Sequence, residues 1–420
     1  MTIVQQVAFL ITLGVAVFFV RKRVLQIRAN IALGKHEDIT GDKSRRWNNV
    51  LLVAFGQKKM FKRPLPAILH FFIYFGFLVI NIEVLEFIID GLAGTHRIFS
   101  PFLGAFYNVL MNIFEFLAVA VLVSCVIFLL RRNIVQLPRF KSSDLNGWPR
   151  RDANIILFIE IALMCAILTM NATDREGGPF FFSSMIEPMF RSFDDSTAHM
   201  IERIAWWFHI IGILGFAVYV TYSKHLHIFM AFLNTWYARL EPKGEIHNMP
   251  VVTREVKSML GLTAEPAPAA GGEPGRFGAR DVNDLARVHL MGAYSCTECG
   301  RCTSECPANL TGKKLSPRKI MMDVRDRMED LGNGLNKEKF LLGDYITKEE
   351  INACTSCNAC VEACPVLINP LDIIIELRRY VAMEESGAPA QWNSMFQNVE
   401  TNFAPWKFPA ADRFNWSENA

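Results

Sequence analysis

The sequence lacks the residues that chemistry on a substrate would need. It has no glycine-rich loop placed to cradle a nucleotide or flavin, no Ser-His-Asp set and no metal-hydrolase motif, so dehydrogenation, hydrolysis and disulfide chemistry are not expected in this chain. Charge is scarce as well. Asp, Glu, Lys and Arg make up 20% of the 420 residues and apolar residues 51%, and the mean hydropathy of +0.21 is high for a water-soluble chain. The basic residues form no continuous stripe, which argues against nucleic acid as a partner. Tyr is sparse, 8 against 33 Phe, as suits helices whose large rings face lipid and need no polar partner. Of the ten Cys, eight fall in two tight groups after Met291, which is not a disulfide framework; clustered thiols of this kind ligate metal. Cys125 and Cys165 lie inside apolar runs and are expected to be small buried apolar side chains.

Five apolar runs, 3–20, 66–89, 106–130, 153–170 and 204–222, are each near the ~20 residues that span a bilayer. The first has no basic residue before it, no small-residue cleavage site and Arg21, Lys22 and Arg23 directly behind it, so it is expected to be a retained anchor. Lys and Arg concentrate in 21–63 and 131–151, whereas the alternate loops are poor in them or offset them with acids. This asymmetry predicts a multi-pass protein of a bacterial or archaeal cytoplasmic membrane, its N-terminus outside and its C-terminal half in the cytoplasm. Segment 47–60 is amphipathic and fits either a membrane-surface segment or an ordinary loop helix. The Pro, Ala and Gly of 265–278 predict a flexible linker. The expected organisation is all-α: a five-helix transmembrane domain in 1–240, a linker in 241–280, an α-helical ferredoxin domain in 281–385, and an irregular aromatic tail in 386–420.

The strings CTECGRCTSECP (Cys296, Cys299, Cys302, Cys306) and CTSCNACVEACP (Cys354, Cys357, Cys360, Cys364) both fit C-x2-C-x2-C-x3-C-P. Two-residue gaps let three thiolates of one loop reach three corners of a cube, and the fourth Cys reaches the neighbouring cube. The expected ligands are therefore crossed: Cys296, Cys299, Cys302 and Cys364 for one [4Fe-4S] cluster, and Cys354, Cys357, Cys360 and Cys306 for the other. A structural zinc needs only four ligands and would not demand the doubled pattern. Two neighbouring clusters imply an electron relay. With Gly300, Lys313 and the helical insert between the motifs, 281–385 resembles the α-helical dicluster domain found in the C component of heterodisulfide reductase and in glycerol-3-phosphate and lactate oxidation complexes.

His209 and His227 are eighteen positions apart, five turns of an uninterrupted helix, which would place them on one face and ~27 Å apart along it. His70 opens the second span at the depth expected for His227, and two imidazoles on facing helices at one level can ligate a haem iron. The region 3–240 resembles the five-helix cytochrome b of respiratory nitrate reductase and the membrane (E) component of heterodisulfide reductase. In that family the second helix supplies two His ten residues apart and the fifth two His eighteen apart. The resemblance implies one haem b between His70 and His227; at the second site only His209 is present, its partner position being Ile80, so a haem there is five-coordinate, otherwise partnered or absent. His225 is read as an interfacial cation or spare proton site. Glu83 and Glu86 are candidate proton carriers for a quinone, and Glu115 and Glu160 are expected to hydrogen-bond between helices.

The ending NFAPWKFPAADRFNW (Asn402, Pro405, Trp406, Arg413, Trp416) resembles the segment that, in larger iron-sulfur oxidoreductases of this group, leads into a cysteine-rich catalytic domain. It implies such a domain on a separate protein that docks here. The expected function is electron transfer between a membrane quinone and a cytoplasmic partner, either that cysteine-rich protein or a flavoprotein or dehydrogenase. The rival is a membrane scaffold or redox sensor without quinone chemistry.

Overall fold

A computed structural model describes residues 2–37, 41–175, 180–262, 276–407 and 409–418. Among them there is no strand, and the chain is all-α. Five helices are long and apolar enough to cross a membrane: α1 (Ile3–Ala32), α2 (Pro64–Ala93), α3 (Ala105–Asn133), α4 (Trp148–Thr173) and α5 (Asp195–Val220). Their starts are marked locally. Thr2 and Gln5 form a capping box on α1, Pro64 opens α2, and Asp194 caps α5 through the Thr197 amide. Each helix packs on its chain neighbours, and α1 closes the bundle against α5. Inside lie Phe9, Ile80, Phe87, Leu117, Leu163 and Trp206. Large apolar side chains such as Phe18, Phe71, Phe116, Phe158 and Phe208 point outward. An outward apolar surface on helices of this length is that of a membrane protein.

The fifth span ends earlier than the sequence suggests, and His209 and His227 do not share one helix. After Val220 the chain breaks, passes through a 3-10 turn at Lys224–Leu226 and restarts as α6 (His227–Tyr237). The Thr221 hydroxyl donates back to the Val218 carbonyl, and the Asp152 carboxylate accepts the Lys224 amide, so the helix loses the amide its next turn needs. Segment 47–60 forms no isolated surface helix. A short helix (Lys43–Asn49) and a π turn (Val50–Phe55) pack on α6 through Trp47 on Trp236 and Phe55 on Phe232.

The C-terminal half is built on α8 (Arg287–Ser295), α9 (Pro317–Gly332) and α10 (Pro370–Met383), and it is preceded by α7 (Pro250–Met259). Of the expected linker, residues 263–275 lie outside the described residues, and α7 is an ordered helix. The tail is not irregular throughout. It contains α11 (Ala390–Asn402), with Trp392, Met395, Phe396 and Val399 exposed.

The apolar core of this half takes in Ile27 of α1, Leu226 just before α6 and Met230 within it, so one core crosses the boundary expected at 240. Buried charge pairs fasten the same joint. Arg318, fully buried, makes a two-pronged pair with Asp144 (3.0 and 2.6 Å), and Arg23 makes another with Glu329 (2.9 and 2.6 Å). Arg23, Arg63, Arg139 and Lys224, which mark one end of the bundle, all bond to residues of this half. That end of the bundle is called proximal below.

Two substitutions test this architecture. At Gly278, with φ +71°, an added Cβ would stand 2.4 Å from the Glu376 carbonyl oxygen and 2.5 Å from the Tyr380 amide. Gly278→Ala is expected to cost at least ~1–3 kcal/mol. Arg318→Met leaves the Asp144 carboxylate buried without its cation and is expected to cost about 3–5 kcal/mol. Both should lower the thermal unfolding midpoint in detergent, and an unchanged midpoint would contradict the packing described.

Candidate redox centres

The two cysteine loops adopt the same shape. In the first, Glu298 (φ 56°) and Gly300 (φ 72°) are left-handed; in the second, Ser356 (φ 55°) and Asn358 (φ 61°) are, at matching positions. A left-handed residue in each gap curls the loop so that successive thiols face one centre, with backbone N–H groups turned inward around it. Each loop then enters a short helix, Arg301–Ser304 or Ala359–Ala363, and its last Cys precedes the motif's Pro. The two short helices pack on each other, which carries each last Cys toward the opposite loop.

The thiols sort accordingly. Burial and then the charges of Cys299, Cys296 and Cys364, with Cys360 after them, hold the Cys302 thiol well above its ordinary range. On Cys306, after burial and its helix amides, the charges of Cys354 and Cys357 act. Cys360, pushed up to about 12 by burial, feels Cys354, Cys306 and Cys357. Burial likewise pushes Cys296 up to about 12 and Cys364 to about 11. Thiols so disfavoured as free anions need metal cations to become thiolate ligands. Among the described residues no three His, Cys, Asp or Glu side chains converge as they would on one ion. Thiols spread around a loop, and not converging on one point, are a donor set that fits a cluster. The second centre reaches the surface through Cys357, whereas Cys296, Cys360 and Cys364 are buried.

Glu298, inside the first loop, is 4% exposed and ion-paired to two cations: Arg325 of α9 at 2.7 Å, and Lys224 of the break after α5. Burial opposes its charge, but Lys224 and Arg325 outweigh that and hold the carboxyl below its usual range. Lys224 also donates to the Pro149 carbonyl at 2.6 Å, and its own carbonyl accepts from His227 Nδ1 at 3.2 Å. One residue, Lys224, thus bonds to both the first cluster loop and His227. From the other side, Arg301 donates to the Lys59 and Met60 carbonyls at 3.2 and 3.4 Å, and its charge reaches both Cys299 and His70.

His70 and His227 meet, although not by the single-helix geometry expected. Their ring centroids are 6.3 Å apart, which leaves room for one metal about 2 Å from a nitrogen of each. His70 Nδ1 lies 3.0 Å from Gln57 Oε1, and each ring spends Nδ1 on an oxygen, leaving Nε2 as the free donor. These residues fit a haem iron. His225 is not an interfacial cation: its ring lies 5.4 Å from His227 and 5.4 Å from Phe216, and burial pushes its imidazole down to about 3.

His209 is buried in the distal half, with Nδ1 on the Leu163 carbonyl (3.0 Å), its ring edge-on to Phe87, and Nε2 without a hydrogen-bond partner among the described residues. Ile80 packs in the same core and offers no ligand. The two candidate proton carriers differ. Glu86 accepts from the Phe99 amide and the Tyr107 hydroxyl, both at 2.9 Å, whereas neither oxygen of Glu83 has a partner among the described residues, at 1% exposure. Both line a cavity of about 20 Å³, room for roughly one water, with Asp90, Arg97, Tyr107 and Glu202. Glu115 is a structural acceptor, taking the Phe182 and Ser183 amides and Asn171, while Glu160 bonds to nothing among the described residues. Cys125 is buried, but Cys165 faces outward.

Sequence reasoning missed Glu298, Lys224 and Arg301. Glu298 had one signal, a charged residue inside a metal loop.

Comparison with known proteins bears on the cysteine region most directly. Residues 295–368 match the 4Fe-4S dicluster domain, so the chain binds iron-sulfur clusters. It is 28% identical over its whole length to the "Probable iron-sulfur-binding oxidoreductase FadF" of Bacillus subtilis, covering 61% of that protein. It is 29% identical over 91% of its length to the "EtfAB:quinone oxidoreductase" of Syntrophomonas wolfei, covering 56% of it. Over 25% of its length it is 36% identical to the C component of the ferredoxin/F(420)H(2)-dependent CoB-CoM heterodisulfide reductase of Methanosarcina acetivorans, covering 56% of that protein. The chain therefore spans about three-fifths of the length of the first two relatives. No solved structure matches it. Its relatives are iron-sulfur oxidoreductases and components of heterodisulfide reductases.

Proposed function

We propose that the chain passes electrons between a membrane quinone and a cytoplasmic partner, using two [4Fe-4S] clusters and haem b. The observation that carries this reading is the placement of the His70 and His227 rings, 6.3 Å apart, directly behind the first cluster loop. Clusters alone would suit a scaffold or sensor; a ligand pair within the bundle, joined to the cluster loop by Glu298 and Lys224, suits a relay. Cys296, Cys299, Cys302 and Cys364 would hold the inner cluster, and Cys354, Cys357, Cys360 and Cys306 the outer. His70 and His227 would hold a haem b, which when bound supplies one-electron chemistry. Quinone as the membrane substrate draws support from the EtfAB:quinone oxidoreductase likeness. Glu83, buried and unpartnered among the described residues, is the better placed of the two acids to hand it protons, and His209 is the candidate for a second haem.

The proximal end would face the cytoplasm, because the Lys- and Arg-rich segments converge there. The soluble partner would be a flavoprotein or dehydrogenase, or a cysteine-rich iron-sulfur protein. The exposed Trp392, Phe396, Trp406 and Trp416 of α11 and the following tail offer it an apolar docking surface beside the domain that carries exposed Cys357.

Dithionite-reduced membranes should show the α band of a b-type haem, and a quinone analogue should reoxidise it. His70→Ala and His227→Ala should each abolish the band of the haem they hold while non-haem iron and sulfide stay at wild-type levels. Cluster absorption with no porphyrin would leave the scaffold or sensor reading. The crossed ligands have their own test: Cys306→Ser should remove the outer cluster and Cys364→Ser the inner, each halving the non-haem iron. Loss of the cluster belonging to the mutated residue's own loop would overturn the assignment.

A further inference from the structure

Two cations of the membrane half stand beside the inner cluster loop without an anion of their own among the described residues. Lys59, just before α2, has a side chain only 13% exposed, and its Nζ makes no hydrogen bond among the described residues. The Glu362 carboxylate is 4.0 Å away and already pairs with Lys62 at 2.5 Å and with Lys243. Arg139, in the loop between α3 and α4, has its Nε buried and unpartnered among the described residues. Its guanidinium lies over Phe140 at 4.9 Å, a ring that Arg132 also covers at 5.0 Å.

Both stand against the first loop, since its Arg301 donates to the Lys59 carbonyl at 3.2 Å and a Cβ added at Gly300 would meet the Arg139 Cβ at 3.5 Å, and the charges acting on the two groups repeat one pattern. Arg139 is favoured by Cys299 and opposed by Arg63, Arg301 and Arg131. Lys59 is favoured by Cys364 and opposed by Lys243 and Lys62. Each is therefore held among like charges: Arg139 has Cys299 as its attractive neighbour, Lys59 has Cys364 beside a Glu362 carboxylate already shared with two other lysines, and both cysteines belong to the same proposed ligand set. Buried cations so arranged are unfavourable unless an anion arrives. A cubane held by four thiolates is an anion in both oxidation states.

We propose that Lys59 and Arg139 are the counter-charges of the cluster held by Cys296, Cys299, Cys302 and Cys364, and that they hold its reduction potential up. The proposal rests on the crossed ligand assignment above. Reduction adds one electron to the cluster, taken from the reduced outer cluster, which is oxidised by one electron. No bond forms or breaks and no proton is required, because the added charge falls among cations already in place. Fixed positive charge stabilises the more negative state and so raises the potential. Among the described residues the outer cluster has no such pair. The nearby Arg378 is spent on the Ile351, Asn352 and Cys354 carbonyls and the Ser356 hydroxyl. The asymmetry draws an electron from the exposed cluster toward the bundle, and the bundle itself supplies the cations that do so.

The test is an anaerobic redox titration of the full chain in lipid nanodiscs, followed by electron paramagnetic resonance, with iron and sulfide measured on each sample. Lys59→Met and Arg139→Gln should each lower the inner-cluster potential by about 59 mV or more, a tenfold change in a one-electron equilibrium. The outer cluster should not move, and Lys59→Arg and Arg139→Lys should keep the wild-type value. Unmoved potentials in neutral variants that retain full iron content would overturn the proposal, as would equal shifts in both clusters or failure of the conservative variants to preserve the value. The Cys306→Ser and Cys364→Ser chains identify which signal belongs to which cluster. If they remove the wrong signals, the ligand assignment fails; if they remove the right ones and the potentials stay put, only the charge proposal does.

Discussion

A carboxylate in a nearly dry interface must find its counter-charges in fixed places, and Glu298 finds one on each side of the joint between the two halves. Arg325 belongs to α9 of the cluster domain; Lys224 belongs to the break that ends the fifth span. Taking three such charges out of water costs several kcal/mol per ion unless the geometry is good, so the arrangement is tolerable only when the halves are docked in one way. The Arg318–Asp144 and Arg23–Glu329 pairs apply the same condition at two further points, and the shared core at Ile27, Leu226 and Met230 supplies the non-directional part of the attraction. Electron transfer falls steeply with distance, so a relay gains from a joint that fixes separation. A flexible tether between the halves would not give that.

The helix break after Val220 serves the same joint. Continued as a regular helix, the chain would set Lys224 and His227 about 60° apart on one face, and the Lys224 carbonyl would be taken by the Ile228 amide instead of the His227 ring. Interrupted by Thr221, Ser223 and the Asp152 carboxylate, it turns instead. Lys224 then reaches Glu298 with its side chain and His227 with its carbonyl. A single local defect thus positions both the cation that docks the cluster domain and an imidazole of the His70 pair.

How much of this the sequence discloses depends on whether the constraint is local. Cluster ligation forces a spacing, and bilayer thickness forces a length, so both cysteine motifs and all five spans can be read directly. The pairing of His70 with His227 is legible as a coincidence of depth, but the helix that would carry both His209 and His227 is interrupted. Hydroxyl groups that compete for helix carbonyls look, in sequence, like ordinary polar residues at a membrane surface. Gly300 and Asn358 announce left-handed backbone at matched positions; Glu298 and Ser356, with the same backbone, do not. The ion pairs of the joint join residues from 27 to 306 apart, and no periodicity encodes such partners. Cys165 shows the limit from another side, because a small residue in an apolar run can face either core or lipid, and this one faces outward.

The distal half of the bundle can be judged by which of its polar groups are satisfied. Glu115 and Glu86 each accept backbone amides from the loops at that end, and Asp90 accepts the Arg97 and Ile98 amides and the Thr95 hydroxyl. Those acids fasten loops to helices and need no other reason to be there. Glu83 and His209 Nε2 differ: both are buried, both lack partners among the described residues, and Phe87, one turn beyond Glu83, packs on His209. An unsatisfied polar group inside a membrane is costly and carries no packing benefit that an apolar residue would not supply better. Fold stability therefore explains Glu86, Asp90 and Glu115, and leaves Glu83 and His209 as the places where the distal half departs from what folding alone would favour.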